Sequence, residues 1–294
     1  MNKMNDYLIR GTAMDGKVRA FAVHTTNLVE ELRQRQESWP TATAALGRAA
    51  SVGVMMGAML KNEEKLTIQI KGNGPMGQIV VDANAHGEVR AYADHPHVHL
   101  PSNAQNKLDV SGAVGREGSI YIIKDLGLKE PYRGSIPIIS GELGEDFTYY
   151  FAKSEQTPSA VSVGVLVDQD TSVRKAGGFI IQLMPGLSDE EITNIEQSFS
   201  QIKPVTELLE ENKTLEQILQ EVLPSVQIMD QMDVKFRCQC SREKVTDTLV
   251  SLGKAEINKI ITEDGQAEVV CHFCNEKYQF DAEDLQKLIL KMDR

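Results

Sequence analysis

The chain has 294 residues, 41% of them apolar, 25% charged and 5% aromatic, enough for one large domain and a smaller one at ~100–200 residues each. That composition excludes a collagen, a disulfide-dense miniprotein and a wholly disordered chain. The net charge of −11 is unevenly spread: residues 188–232 hold only Lys203 and Lys213 against ten acids, a net of −8, against −1 for 1–187 and −2 for 233–294. Such a balance argues against nucleic acid as the main partner. The opening MNKMNDYLIRG lacks the apolar run of a secretory leader, and the weakly polar run Thr41 to Leu60 carries Arg48, so neither secretion nor membrane insertion is expected.

In chain order, strands are predicted at Tyr7 to Thr12 and Val18 to His24 around the turn Met14-Asp15-Gly16. A helix follows near Asn27 to Glu37. Pro40 then opens a long Ala/Gly/Met helix to about Leu60, apolar on nearly every side and so expected at the core or a subunit interface. Period-two alternation predicts a meander at Leu66 to Ile70, Gln78 to Asp82 and Val89 to Ala93. Further strands are predicted at Ser119 to Lys124, Ser135 to Ile139, Ala160 to Val167 and Gly178 to Met184, with a helix near Glu142 to Phe151. After Pro185-Gly186, Ser188 with Glu191 forms a capping box for an apolar stripe of Ile192, Ile195, Phe199 and Ile202, stopped by Pro204. Thr214 with Gln217 opens a second stripe, Leu215, Ile218, Leu219 and Val222, stopped by Pro224. Short amphipathic helices need a surface to lie on. The class is therefore α+β: a mixed sheet-and-helix domain over 1–186, an acidic helical linker over 187–232, and a small C-terminal domain over 233–294.

All four cysteines lie in that last segment, as Cys238-x-Cys240 and Cys271-x-x-Cys274 thirty residues apart. Two close pairs suit a tetrahedral zinc site, because each short turn aims two sulfurs at one point; the same spacing fits a purely structural zinc. Lys235, Arg237 and Lys277 are candidates for holding thiolate character, and His272 is expected to stand outside the ligand set. Around the site the pattern predicts a helix capped by Ser241 and ending at Gly253, strands at Ala267 to Cys271 and Lys277 to Phe280, and a last helix from Asp281. A thioredoxin-like role for Cys271–Cys274 lacks the required βαβ context.

Three other patterns fail on inspection. Gly11 to Val18 matches a P-loop except at its end, where Val18 offers no hydroxyl and a strand follows instead of a helix. Gly72-Asn-Gly74-Pro-Met-Gly77 fits G-x-G-x-x-G, but its context is a hairpin turn. His95, His97 and His99 alternate along what reads as an ordinary strand edge, with a metal site as the lesser alternative. No nucleophile–base arrangement is evident, so an enzyme is not expected.

At Cys238-Gln-Cys240-Ser-Arg-Glu-Lys-Val and Cys271-His-Phe-Cys274-Asn-Glu-Lys-Tyr the chain resembles the redox-regulated holdases of the heat-shock protein 33 family. The resemblance continues through Leu252-Gly253, Asp264-Gly265 and Glu268. It also covers Tyr7-Leu-Ile-Arg-Gly, Gly72-Asn-Gly-Pro, Lys129-Glu-Pro-Tyr-Arg-Gly, Tyr149-Tyr-Phe and Ser154-Glu-Gln-Thr-Pro-Ser, essentially the whole chain.

That resemblance implies a cytoplasmic, ATP-independent chaperone, inactive when reduced with one zinc per chain on Cys238, Cys240, Cys271 and Cys274. It implies that oxidative stress forms the disulfides Cys238–Cys240 and Cys271–Cys274 and expels zinc. The C-terminal domain then unfolds, the linker loosens, and unfolding client proteins are held, typically by a homodimer, before passing to ATP-dependent chaperones. The Cys271–Cys274 pair is freer to form an unstrained bridge and is expected to oxidise first. Met55, Met56, Met59 and Met76 are expected mainly in the core, with client contact as the alternative. The competing reading is a constitutive zinc-bearing adaptor without redox switching.

Overall fold

Met14 and Asp15 take left-handed φ values of 52° and 54°, and Gly16 follows at 82°, so the chain reverses tightly between β1 (Tyr7–Ala13) and β2 (Val18–His24). A hairpin thus stands where a P-loop would need a helix. The structure, a computed structural model, describes residues 5–292; residues 1–4 of the stretch read for a leader lie outside them. Helix α1 (Thr26–Gln36) has no side-chain cap from Thr25. Instead the buried Asp6 carboxylate accepts the Asn27 and Leu28 N–H groups at 3.2 and 2.6 Å.

Helix α2 (Pro40–Gly57) has every residue but Pro40 and Arg48 buried, as its composition predicts. Its first turn is capped from the histidine segment: Trp39 N–H donates to the Pro96 carbonyl and Ala42 N–H to that of Val98. The segment is therefore extended coil laid across a helix start, and the expected strand edge is absent. Next come β3 (Lys65–Gly72), β4 (Gln78–Asn84), β5 (Glu88–Ala93), the short α3 (Val110–Val114), β6 (Gly118–Asp125), β7 (Tyr132–Pro137), α4 (Gly144–Lys153), β8 (Ser159–Val167) and β9 (Val173–Leu183). The G-x-G-x-x-G stretch is the β3–β4 turn, as its context required. Helix α4 starts two residues later than expected because Leu143 is left-handed at φ 71° and the buried Asp146 carboxylate accepts N–H groups from Ile139, Ser140 and Leu143.

Two capping boxes then form as read. Ser188 and Glu191 open α5 (Asp189–Gln201), and Thr214 and Gln217 open α7 (Leu215–Val222). Between them Pro204, read as a stop, is the N-cap of an additional helix, α6 (Val205–Glu210). The chain continues into β10 (Gln227–Asp233) and β11 (Lys235–Phe236). One mixed-class unit is built from a five-stranded sheet, β10-β1-β2-β9-β8, and a six-stranded sheet, β11-β5-β4-β3-β6-β7. Helix α2 shares a core with both, in which Met55, Met56 and Met76 are buried and Met59 is partly buried against it.

The other face of the five-stranded sheet carries Ile9, Ala13, Val18, Ala20, Ala22, Phe179 and Ile181. Helices α5 to α7 cover it with Ile195, Val205, Leu208, Leu209, Leu215, Ile218, Leu219 and Val222. The small Ala side chains let the helices approach closely, and Phe199 meets Phe179 edge-on at 5.8 Å between centroids. Segment 187–232 thus belongs by its contacts to the first unit. So do 233–237: Val234 N–H donates to Asp6, and Lys235 and Arg237 N–H to Gly87 and Val89. The boundary lies between Arg237 and Cys238 rather than at 233, because backbone pairing with β1 and β5 carries the chain that far.

The second unit, from Cys238 on, comprises α8 (Arg242–Ser251), α9 (Lys254–Glu263), β12 (Gln266–Val270), β13 (Lys277–Asp281) and α10 (Ala282–Lys291). Ser241 caps α8 and Asp281 caps α10, as predicted. Gly253 ends one helix and is the N-cap of another, α9, which hydropathy did not disclose. No helix among the described residues is long and apolar enough to cross a membrane.

Candidate metal centre

The two cysteine turns are positioned by different devices. Cys238 and Cys240 stand just before Ser241, whose hydroxyl accepts the Lys244 N–H and fixes where α8 begins. Cys271 and Cys274 occupy the loop between β12 and β13, whose register is set by pairs from Gln266 with Asp281 to Val270 with Lys277. Within that loop Asn275 N–H donates to the Cys271 carbonyl at 2.8 Å and Cys271 N–H to that of Glu276 at 3.0 Å. Asn275, left-handed at φ 56°, makes the turn possible.

The four sulfurs all lie within 4.8 Å of one another, and among the described residues no other group of His, Cys, Asp or Glu converges in this way. The Cys238 and Cys271 sulfurs are 3.7 Å apart and those of Cys240 and Cys274 3.3 Å, so the turns face each other. A tetrahedron with metal–sulfur bonds of about 2.3 Å has edges of about 3.8 Å, so the cluster fits a four-coordinate thiolate centre. Burial pushes the Cys274 thiol far above its ordinary value and that of Cys271 upward; the sulfurs of Cys240, Cys271 and Cys238 add to the first, whereas Cys271 is raised by Cys238 and lowered by Cys274. Backbone N–H groups of Phe273 and Cys274 at the Cys271 sulfur, and of Glu276 at that of Cys274, pull the other way. Such a cluster ionises fully only around a cation, and a dication inverts the balance.

The structure therefore gathers Cys238, Cys240, Cys271 and Cys274 as read, with His272 outside the cluster. The three cations expected to assist are engaged elsewhere. Arg237 and Lys235 pair with Glu88 at 2.6 and 3.6 Å, and Lys277 with Glu268 at 3.6 Å. The histidines form no site: His99 bonds the Thr41 hydroxyl at 3.1 Å and His97 lies against Trp39. Two contributors escaped the sequence reading. The Tyr278 hydroxyl donates to Cys240 Sγ at 3.2 Å. Arg242 donates to the Gln279 carbonyl, pairs with Asp284 at 2.6 Å and lies 4.3 Å over the Phe280 ring, joining α8 to β13 and α10. Both act across the fold, which spacing along the chain does not encode.

Compared with known proteins, residues 6–281 match the Hsp33 protein family. The chain is 54% identical over 288 residues to a 33 kDa chaperonin of Bacillus cytotoxicus, covering 97% of this chain and 99% of that one. It is 55% identical over 284 residues to the Bacillus subtilis 33 kDa chaperonin, covering 96% and 98%. The crystal structure of a Thermotoga maritima 33 kDa chaperonin superposes with a TM-score of 0.93 at 37% identity, covering 99% of this chain and 100% of that one.

Proposed function

The chain belongs to the Hsp33 family of chaperones, and on that premise we propose that it is a redox-regulated, ATP-independent holdase whose four cysteines bind one zinc ion in the reduced state. The observation that carries the reading is the ratio of sulfur cluster to core in the second unit. Its buried apolar core consists of Val245, Leu249, Ile257, Phe280, Leu285 and Leu288. A core of this size supplies ~3–5 kcal/mol, whereas structural zinc supplies on the order of 10–16 kcal/mol. Zinc, when bound, supplies the cross-link between the Cys238–Cys240 and Cys271–Cys274 turns. Two hydroperoxides, each taking two electrons from one pair and leaving as the reduced hydroxide, leave disulfides Cys238–Cys240 and Cys271–Cys274 and no thiolate to hold a cation. So short a disulfide loop returns less than the ~3 kcal/mol of a 15-residue loop, so the unit melts. Cys271–Cys274 closes first, having the longer turn.

Helices α5 to α7 are the second element of the switch. Their release bares their own stripes and the face around Ile9, Phe179 and Ile181, an apolar surface for unfolding clients. The excess of acids in 188–232 assists release through self-repulsion once support is lost. The holdase acts in the cytoplasm as a homodimer and passes clients to ATP-dependent chaperones. The test compares reduced and peroxide-treated protein for zinc stoichiometry, far-UV circular dichroism and suppression of aggregation of a denatured enzyme. One zinc lost, helicity lost and suppression gained are expected together. Zinc retained, or lost with no gain in suppression, favours the constitutive adaptor.

A further inference from the structure

The donor that reaches the sulfur cluster from β13 has a position suited to timing. Tyr278 is paired with Val269 and stands four residues beyond Cys274, yet its hydroxyl donates to Cys240, a sulfur of the other turn. A sulfur that accepts a hydrogen bond holds its lone pair more tightly and attacks electrophiles more slowly. Resting on the redox reading above, we propose that Tyr278 is a positioning residue that restrains Cys240, so that the Cys238–Cys240 bridge closes only after β13 has shifted.

The chemistry on which it acts is the first of two steps. The Cys240 thiolate attacks one oxygen of a hydroperoxide; the O–O bond breaks, giving a sulfenic acid and hydroxide. The Cys238 thiolate then attacks that sulfur, the S–S bond forms, the S–O bond breaks and a second hydroxide leaves. Two electrons pass from the thiolates to the peroxide, and the two hydroxides take up two protons to become water. The Tyr278 bond engages the lone pair that makes the first attack.

The same geometry links the two bridges. Cys271 and the start of β13 share one hydrogen-bonded turn through Glu276 and Asn275. Closing Cys271–Cys274 reshapes that turn and withdraws Tyr278, which unmasks Cys240. The tyrosine thus makes the second bridge conditional on the first.

The experiment treats full-length, zinc-loaded wild type and Tyr278→Phe with limiting hydrogen peroxide, quenches with an alkylating reagent and follows each cysteine by mass spectrometry. In the Phe variant Cys240 is expected to oxidise about fivefold faster while Cys271 changes by less than about twofold, a fraction of the effect of a hydrogen bond to a charged acceptor. An unchanged Cys240 rate overturns the proposal, as does equal acceleration of all four thiols, which marks a merely structural tyrosine. If the Phe variant fails to retain zinc, 3-fluorotyrosine placed at 278, a stronger donor of nearly the same size, decides: Cys240 oxidation slows, or the proposal fails. Wild type that neither releases zinc nor gains suppression after oxidation defeats the switch itself. A switching wild type with an identical Tyr278→Phe pattern defeats only the role of the tyrosine.

Discussion

Ile218→Ala tests whether the helical layer over the five-stranded sheet is separable from the unit it covers. Ile218 is fully buried at the centre of α7, within the stripe Leu215, Ile218, Leu219 and Val222. A helix of eight residues does not persist alone in water, so its order derives from this stripe and the capping box. Removing the buried Ile side chain costs about 2–5 kcal/mol. Since 1.4 kcal/mol is a factor of ten, the detached population of α7 rises by roughly thirty-fold to several thousand-fold. Hydrogen exchange on reduced, zinc-loaded protein should show residues 205–222 losing protection, together with Ile9 and Ala20 to Ala22 on the strands beneath. Suppression of client aggregation should appear without oxidant and with zinc retained. Gln220→Ala, on the exposed side of the same helix, should change neither readout. If Ile218→Ala lowers the melting temperature of the first unit but leaves local exchange as in wild type, the layer is integral to that unit and the release mechanism is refuted.

Three further outcomes are expected. Asp146→Ala strands the Ile139, Ser140 and Leu143 N–H groups and should cost roughly 3–6 kcal/mol, read by calorimetry as a lower melting temperature at unchanged zinc content; a loss under about 1 kcal/mol counts against it. Arg242→Ala removes the contacts with Phe280, Asp284 and Gln279, and a chelator should strip zinc about three- to tenfold faster, an exposed cation–π and ion-pair contribution. Equal stripping rates would show that Arg242 does not hold the second unit. Burial alone would raise the Glu88 carboxyl, but hydrogen bonds from Asn84 and Arg237 and the charges of Arg237 and Lys235 outweigh it and lower its pKa. The resulting stability is present above the ordinary carboxylate range and lost as pH falls through the lowered value. Urea midpoints of Glu88→Gln should therefore vary less than those of wild type between about pH 3 and 6.

What could be read from the sequence was what is local. Ser188 with Glu191 and Thr214 with Gln217 cap their helices within one turn, so their meaning does not depend on the rest of the fold. The β3–β5 meander was equally legible, because one buried face imposes alternation. Strand β10 was missed because, at the edge of its sheet, nearly all its residues are exposed and no alternation results. Helix α9 was missed because only Ile257 is fully buried, too little for a stripe. The cysteine spacing disclosed which four sulfurs converge. It could not disclose that the nearest sulfurs belong to opposite turns, nor that Tyr278 and Arg242 support them, since those contacts join segments more than thirty residues apart.

The order of strands in the five-stranded sheet has a consequence during biosynthesis. Strand β2 ends at His24, its neighbour β9 begins at Val173, and β10, which completes the other side of β1, begins only at Gln227. At about 5–20 residues per second, the roughly 150 residues between β2 and β9 take on the order of 8–30 s to emerge from the ribosome. For that interval the nascent hairpin holds unsatisfied edges and the apolar residues Ile9, Val18 and Phe21, the exposure that invites misassembly. A protein that shelters unfolding chains thus begins as a newborn chain in need of shelter.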